Sequence, residues 1–356
     1  MARTVDGRLA YADLLRVMAA LAVVVLHISA GWLDQTALGG TAWTVMCTYD
    51  GLVRWCVPMF VMLSGAFLLD PKKSVRLRDI FFKYILRILI ALLVWGTLYA
   101  LADYGRSGWH FTWAGILSAL RHVLWADTHY HLWFLYMMIG LYLVTPILRA
   151  FVRGASRSDL HWFLLLAFVF ACLLPTLQAL FPSRMALPAA WYSRFGIRLV
   201  LGYVGYYVAG YYLKTYTLGR IAEFSAYILG ILGALATVWG TTALSARAGA
   251  FSGVLFEYTA PNVVFMALAI FVLFRYVLGV SEERSRRQRL GGVARISFGI
   301  FLVHDFFIML LRHFGVSTLS FNPILSIPVL SAAVFLCSFA VAWLLSKIPL
   351  LGRYLT

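Results

Sequence analysis

"YADLLRVMAALAVVVLHIS", residues 11–29, has the length and apolarity of a membrane span yet carries three polar side chains. Ten uninterrupted apolar residues separate Arg16 from His27, and Asp13 lies one turn before the arginine. A charged side chain at mid-bilayer costs about 2.5–3.5 kcal/mol on insertion scales, so it is expected to have a partner or a task. From Arg16 to His27 is three turns at about 100° per residue. Both therefore lie on nearly one face, about 16 Å apart along the axis. Asp13, three residues before Arg16, is placed to pair with it and hold its guanidinium.

The rest of the chain extends this membrane reading. Its 356 residues are 62% hydrophobic and 12% charged, with mean hydropathy +0.85. A soluble domain is about 45–50% apolar, and no polar stretch is long enough for a separate soluble domain, so residues 1–356 read as a single transmembrane domain. With about 20 apolar residues needed per crossing, the runs predict an all-α integral membrane protein of about ten transmembrane helices. The expected spans are 9–31, 52–70, 80–102, 131–151, 160–181, 196–214, 221–244, 258–279, 294–313 and 324–347. An internal arginine and histidine, and the many later spans, favour an uncleaved first helix over a signal peptide.

The formal charge of +16 is distributed in alternate loops. Arg3 and Arg8, then Lys72, Lys73, Arg76 and Arg78, then Arg149, Arg153 and Arg157, then Lys214 and Arg220, then "EERSRRQR" (282–289) fall on one side. By the positive-inside rule that side, and both termini, are cytoplasmic. The charge is thus read as facing anionic lipid heads, with no nucleic acid as a partner. "HFTWAGILSALRHVLWA" (110–126) is compatible with an amphipathic helix on the outer interface or with a short re-entrant helix.

Several further polar residues fall inside expected spans. Lys83 and Arg87, four apart, open the third span and are suited to a cytoplasmic anion such as phosphate; Lys83 also reads as a snorkelling lysine. His131, beside Trp133, opens the fourth. His129 and His131 form an H-x-H pair, but the four cysteines lack metal-type spacing and no carboxylate set accompanies the pair, so no metal is expected. Ser297 and His304 are seven apart in the ninth span, hence on one face, and Asp305 follows directly. A second intramembrane imidazole in one chain makes a polar lumen the better explanation. "GYVGYYVAGYYL" (202–213) combines small residues with tyrosines, which suits close helix approach, a cavity lining or an interfacial belt.

In this order the motifs resemble the membrane acyltransferase 3 family, and more narrowly its WecH-like branch of surface-polysaccharide O-acetyltransferases. The resemblance runs over nearly the whole chain. It is carried by Asp13, Arg16 and His27; by "VPMFVMLSGAFL" with Pro58, Ser64 and Gly65; by Lys83 and Arg87; by "YHLWF", Tyr130 to Phe134; and by "SFGIFLVH", ending at His304. Lys83 stands where the family often has a second arginine, and no extra periplasmic domain is fused. The resemblance implies a bacterial inner (plasma) membrane enzyme that moves an acetyl group from cytoplasmic acetyl-CoA, with succinyl-CoA as another donor, to a sugar hydroxyl. It implies a catalytic set of His27 as general base with Arg16 and Asp13. Arg87, Lys83 and Arg16 would hold the cofactor, and His131, Trp133, Ser297, His304 and Ser64 would line the lumen or contact substrate. Expected partners are acyl-CoA, a glycan or lipid-linked glycan and membrane lipids, with homo-oligomerisation left open. Direct attack on the thioester is preferred to an acyl-histidine relay. The competing class is a proton-coupled transporter or flippase, which inverted repeats would favour and which the chain does not display.

Overall fold

No glycine or proline interrupts residues 10–30, and the run folds as one helix, α1 (Ala10–Ala30). Asp13 sits in its first turn, where the helix dipole favours an anion. The computed structural model describes residues 9–106, 112–125, 128–185, 202–278 and 290–356. Among the described residues, nine helices are long and apolar enough to cross a bilayer, and no strand occurs. The chain is an all-α, multi-pass membrane protein. The expected sixth span lies partly outside the described residues; its described part is the helix Val204–Thr215. Arg3, Arg8 and the basic stretch 282–289 also lie outside them.

The second crossing differs from expectation. It begins well before residue 52, running Thr41–Leu68 as α2 (Thr41–Val53) and α3 (Cys56–Leu68). The reason is Asp50, whose charge just before residue 52 breaks the apolar run on paper, and its partner Arg54. In the fold they neutralise each other at i,i+4 spacing, Arg54 Nη2 to Asp50 Oδ2 being 2.5 Å, and Asp50 is fully buried. The Arg54 guanidinium also lies 4.4 Å from the Phe256 ring centroid.

The third crossing enters through a π-helical turn, Ile80–Ile85, and continues as α4 (Leu86–Arg106). Within 110–126 the described segment forms α5 (Trp113–Leu124), which packs on α4. It buries Gly115, Ala119 and Val123 and leaves Trp113, Leu117 and Leu124 exposed. The next crossing is α6 (Trp133–Gly154). Arg149, read above as a loop residue, is buried within it. Its guanidinium donates to the carbonyls of Leu68, Asp70 and Lys73, where the last carbonyls of α3 have no partner within their own helix.

The helix Val204–Thr215, α7, crosses α3 at backbone contact. A Cβ at Gly65 would stand 1.8 Å from the Tyr207 carbonyl oxygen, and one at Gly210 would stand 1.8 Å from that of Met62. Glycine at both positions is what admits the crossing. At its end, Lys214 binds Asp70 at 2.5 Å. The remaining pieces that position the site are α8 (Leu290–His313), α9 (Pro323–Ser346) and the short α10 (Pro349–Tyr354). α1 packs against α8 and α9, so the first and the late helices of the chain share one core.

Two predictions follow from these ion pairs. Removing one partner of a buried pair strands the other charge at a cost of about 3–5 kcal/mol. Asp50→Ala is therefore expected to lower the thermal unfolding midpoint in detergent sharply, and Asp50→Ala with Arg54→Met to recover most of it. An Asp50→Ala midpoint equal to wild type contradicts this. At Asp70, burial raises the carboxyl, but the Lys214 ammonium and the Lys72 N–H outweigh it and hold it below the usual carboxylate range. A depressed folded-state value stabilises the fold above the unfolded-state value of about 3.9, and this is lost as pH falls through the folded-state value. Asp70→Asn should thus lower the midpoint at neutral pH, with the gap to wild type closing in acid; a gap that widens in acid contradicts it.

Candidate active site

α1 ends by bringing His27 against two other elements. One is the 3₁₀ turn Tyr130–Leu132 that starts α6, and the other is the middle of α8. The His27 ring stacks on His304, centroids 5.0 Å apart, and meets Tyr130 edge-on at 5.2 Å. His131 completes a triangle of imidazoles, 5.2 Å from His304 and 6.4 Å from His27. His304 and His131 are buried, whereas Tyr130 is 53% exposed, so the cluster borders an accessible surface at one side.

Hydrogen bonds tie the cluster to a carboxylate. The Tyr130 hydroxyl donates to Asp305 Oδ1 at 2.8 Å and lies 3.3 Å from His27 Nδ1. Asp305 Oδ2 is 3.3 Å from His129 Nε2, and His129 Nδ1 is 3.0 Å from His131 Nδ1. His304 Nδ1 faces the Phe301 carbonyl at 2.6 Å. Among the described residues, the Nε2 atoms of His131 and His304 are buried without a hydrogen-bond partner. Behind them, Tyr99 on α4 stacks on His129 and Phe306. Its hydroxyl accepts from the Phe306 N–H and donates to the Leu302 carbonyl, two main-chain groups one turn apart on α8.

The ligand atoms of His129, His131 and Asp305 lie within 4.8 Å of one another, close enough to raise the question of a metal. His129 turns Nε2 to Asp305 and Nδ1 to His131. The fold thus brings to the H-x-H pair a carboxylate that the sequence does not place beside it, and the three groups stand in contact as a chain.

On the basic side of the bundle two cavities adjoin. The outer one, about 690 Å³, is lined by Arg76, Arg78, Lys83 and Arg353. It shares Tyr84 and Arg87 with a deeper one of about 380 Å³, which is lined by Arg16, Ser297, Phe134 and Phe301. Lys83 and Arg87 thus meet in one cavity, although the π-helical turn alters their helical register. The Arg87 guanidinium donates to the Thr356 carbonyl oxygen, and its buried Nε has no partner among the described residues. Phe301 lines the deeper cavity and packs against the cluster, 5.6 Å from His131 and 5.9 Å from His304.

The sequence-derived residues distribute along this line. Asp13 and Arg16 form an ion pair of 3.6 Å, with Arg16 on the deeper cavity and His27 in the cluster beyond it. Ser297 lines the same cavity and donates to the Ala294 carbonyl. Ser64 donates to the Phe60 carbonyl of its own helix and lies apart from the imidazoles. Trp133 is 38% exposed and stacks on Tyr258 at 5.8 Å, beside rather than within the triangle. His129, Tyr130 and Asp305 were noted in the sequence, in the H-x-H pair, at the start of "YHLWF" and after His304, but were given no role in the site, and Tyr99 was not noted. Asp305, a carboxylate within an apolar helix, was the available signal, since a buried anion requires a donor from elsewhere.

The family model described as an acyltransferase domain matches residues 9–345. No curated protein and no solved structure matches the chain.

Proposed function

We propose, from the premise that this chain belongs to the acyltransferase family whose model covers nearly all of it, that it moves an acetyl or other short acyl group from cytoplasmic acyl-CoA to a sugar hydroxyl. The acceptor is a surface or lipid-linked glycan, as in the WecH-like branch of surface-polysaccharide O-acetyltransferases, and the site of action is the bacterial inner membrane. The observation that carries this reading is the succession of basic mouth, adjoining cavity and imidazole cluster. Arg76, Arg78, Lys83 and Arg353 line the mouth, Arg87 and Tyr84 line both it and the deeper cavity, and Phe301, on the wall of that deeper cavity, lies 5.6 Å from His131 and 5.9 Å from His304. A polyanionic nucleotide with a long neutral arm ending in a thioester matches such a line in charge and shape. The mouth lies on the side that the positive-inside rule makes cytoplasmic.

In this reading the mouth arginines bind phosphate with paired, planar donors. Arg87, with an unpartnered Nε, binds it at the neck. Asp13 orients Arg16, which faces the deeper cavity. His27 takes the proton from the acceptor hydroxyl as that oxygen bonds to the thioester carbon. As the tetrahedral intermediate collapses, the carbon–sulfur bond breaks and His27 returns the proton to the departing thiolate. No acyl-histidine is required, because a base alone balances the reaction. The unpartnered nitrogens of His131 and His304 accept hydrogen bonds from the acceptor's hydroxyls.

The test is kinetic, on purified protein in lipid nanodiscs with acetyl-CoA and a glycan acceptor. General-base catalysis is worth about 10²–10⁴-fold, so His27→Ala should remove at least two orders of magnitude of transfer while the protein still folds. Arg87→Ala should raise the KM for acetyl-CoA about tenfold or more, from the loss of a charge-assisted hydrogen bond of about 1.5–3 kcal/mol. Wild-type transfer by His27→Ala would overturn the reading. Substrate flux driven by a pH gradient without CoA would favour a transporter instead.

A further inference from the structure

We infer that Asp305, acting through Tyr130, holds His27 as the tautomer with its proton on Nδ1, so that Nε2 carries the lone pair that receives the acceptor's proton. The inference rests on the reading of His27 as the base and names the two positioning residues that make it one.

The argument is a count of donors. A phenol has one proton, and a carboxylate can only accept. Tyr130 gives its proton to Asp305 Oδ1 at 2.8 Å. The same phenol oxygen lies 3.3 Å from His27 Nδ1 and has only a lone pair left to offer, so Nδ1 is the donor of that contact. In a neutral imidazole a proton on Nδ1 leaves Nε2 as the acceptor. A base needs that state before it can take a proton, and the dipole of the phenol then stabilises the imidazolium that forms.

What makes the chain directional is that neither end can turn. The other Asp305 oxygen is occupied by His129 Nε2 at 3.3 Å. The helix at Asp305 is pinned by the Tyr99 hydroxyl, which sits between the Leu302 carbonyl and the Phe306 N–H. Asp305 is 2% exposed, so water does not compete for it. The His27 ring is clamped in plane by its stack on His304. A phenol thus stands where a hydrolytic triad places its carboxylate directly against the histidine.

Tyr130→Phe removes one oxygen and keeps the ring, so it is the lightest test. Removing a group that orients a functional histidine typically costs about 10–100-fold. The expected result is a fall of that size in kcat, with KM for acetyl-CoA within about twofold of wild type, because the contact acts at the chemical step. Asp305→Asn should lower kcat at least as far and Asp305→Glu should restore part of it. Tyr130→Phe combined with Asp305→Asn should be no worse than the poorer single variant, since the two residues act in series. A readout independent of turnover is the ¹⁵N spectrum of ring-labelled histidine, with His27 assigned by its loss in His27→Gln. His27 should be protonated on Nδ1 in wild type and become a tautomer mixture in Tyr130→Phe. An unchanged His27 signal in Tyr130→Phe, or wild-type kcat in that variant, overturns the inference. Absence of transfer by the wild-type protein would instead overturn the proposed function, and the spectrum would still decide the hydrogen bond.

Discussion

A charge inside a bilayer must be paired, and the fold of this chain is organised by meeting that demand. Asp50 meets Arg54, Asp13 meets Arg16, and Arg149 meets three main-chain carbonyls, one on the last residue of α3 and two just beyond it. Asp305 is the case with chemical consequences, because its donors come from other parts of the chain. Tyr130 and His129, at the start of α6, supply them. The carboxylate therefore joins α8 to α6, and through Tyr130 to α1. Removing a buried anion from water is offset only by such convergence, and here the residues that converge are the imidazoles.

Depth separates the two halves of the site. Arginines and a lysine gather around the basic mouth, whereas Arg16 is the cation of the deeper cavity closest in sequence to His27. Beyond Phe301 the groups that contact His27 are imidazoles and a phenol tied to one carboxylate, with Arg312 lining the small pocket on its other side. Binding a polyanion and moving a single proton call for different residues, and the clustered cations of the mouth lie apart from the clustered imidazoles. The crossing of α3 and α7 at Gly65 and Gly210 lets two main chains touch, which holds α3, one flank of this line, without large side chains at the contact.

Much of the fold was legible because the bilayer imposes a length and a hydropathy on each crossing. The second crossing was misjudged for the reason that makes it stable. Asp50, outside the expected span of 52–70, looks like a loop residue until its four-residue spacing from Arg54 is seen to bury them as a pair. Arg149 was misjudged in the same way, since its partners are carbonyls, which a sequence does not display as charges. In the site, Arg16, His27, Lys83, Arg87, His131 and His304 stood out as polar residues in apolar runs, and they lie along the line of cavities and imidazoles. Tyr130 and Asp305 were harder to weigh. Their importance lies in one hydrogen bond between residues 175 positions apart, and no local pattern encodes it.

The most direct measurement is a cryo-electron-microscopy structure of the full chain in nanodiscs with a non-hydrolysable acetyl-CoA analogue. The expected density places the phosphates within hydrogen-bond distance of Arg87 and the mouth arginines. The arm should pass through the deeper cavity, and the thioester carbonyl should lie beyond Phe301, against His27. A nucleotide bound at the opposite face, or an acyl group that stops on the near side of Phe301 away from every imidazole, would contradict the proposed path.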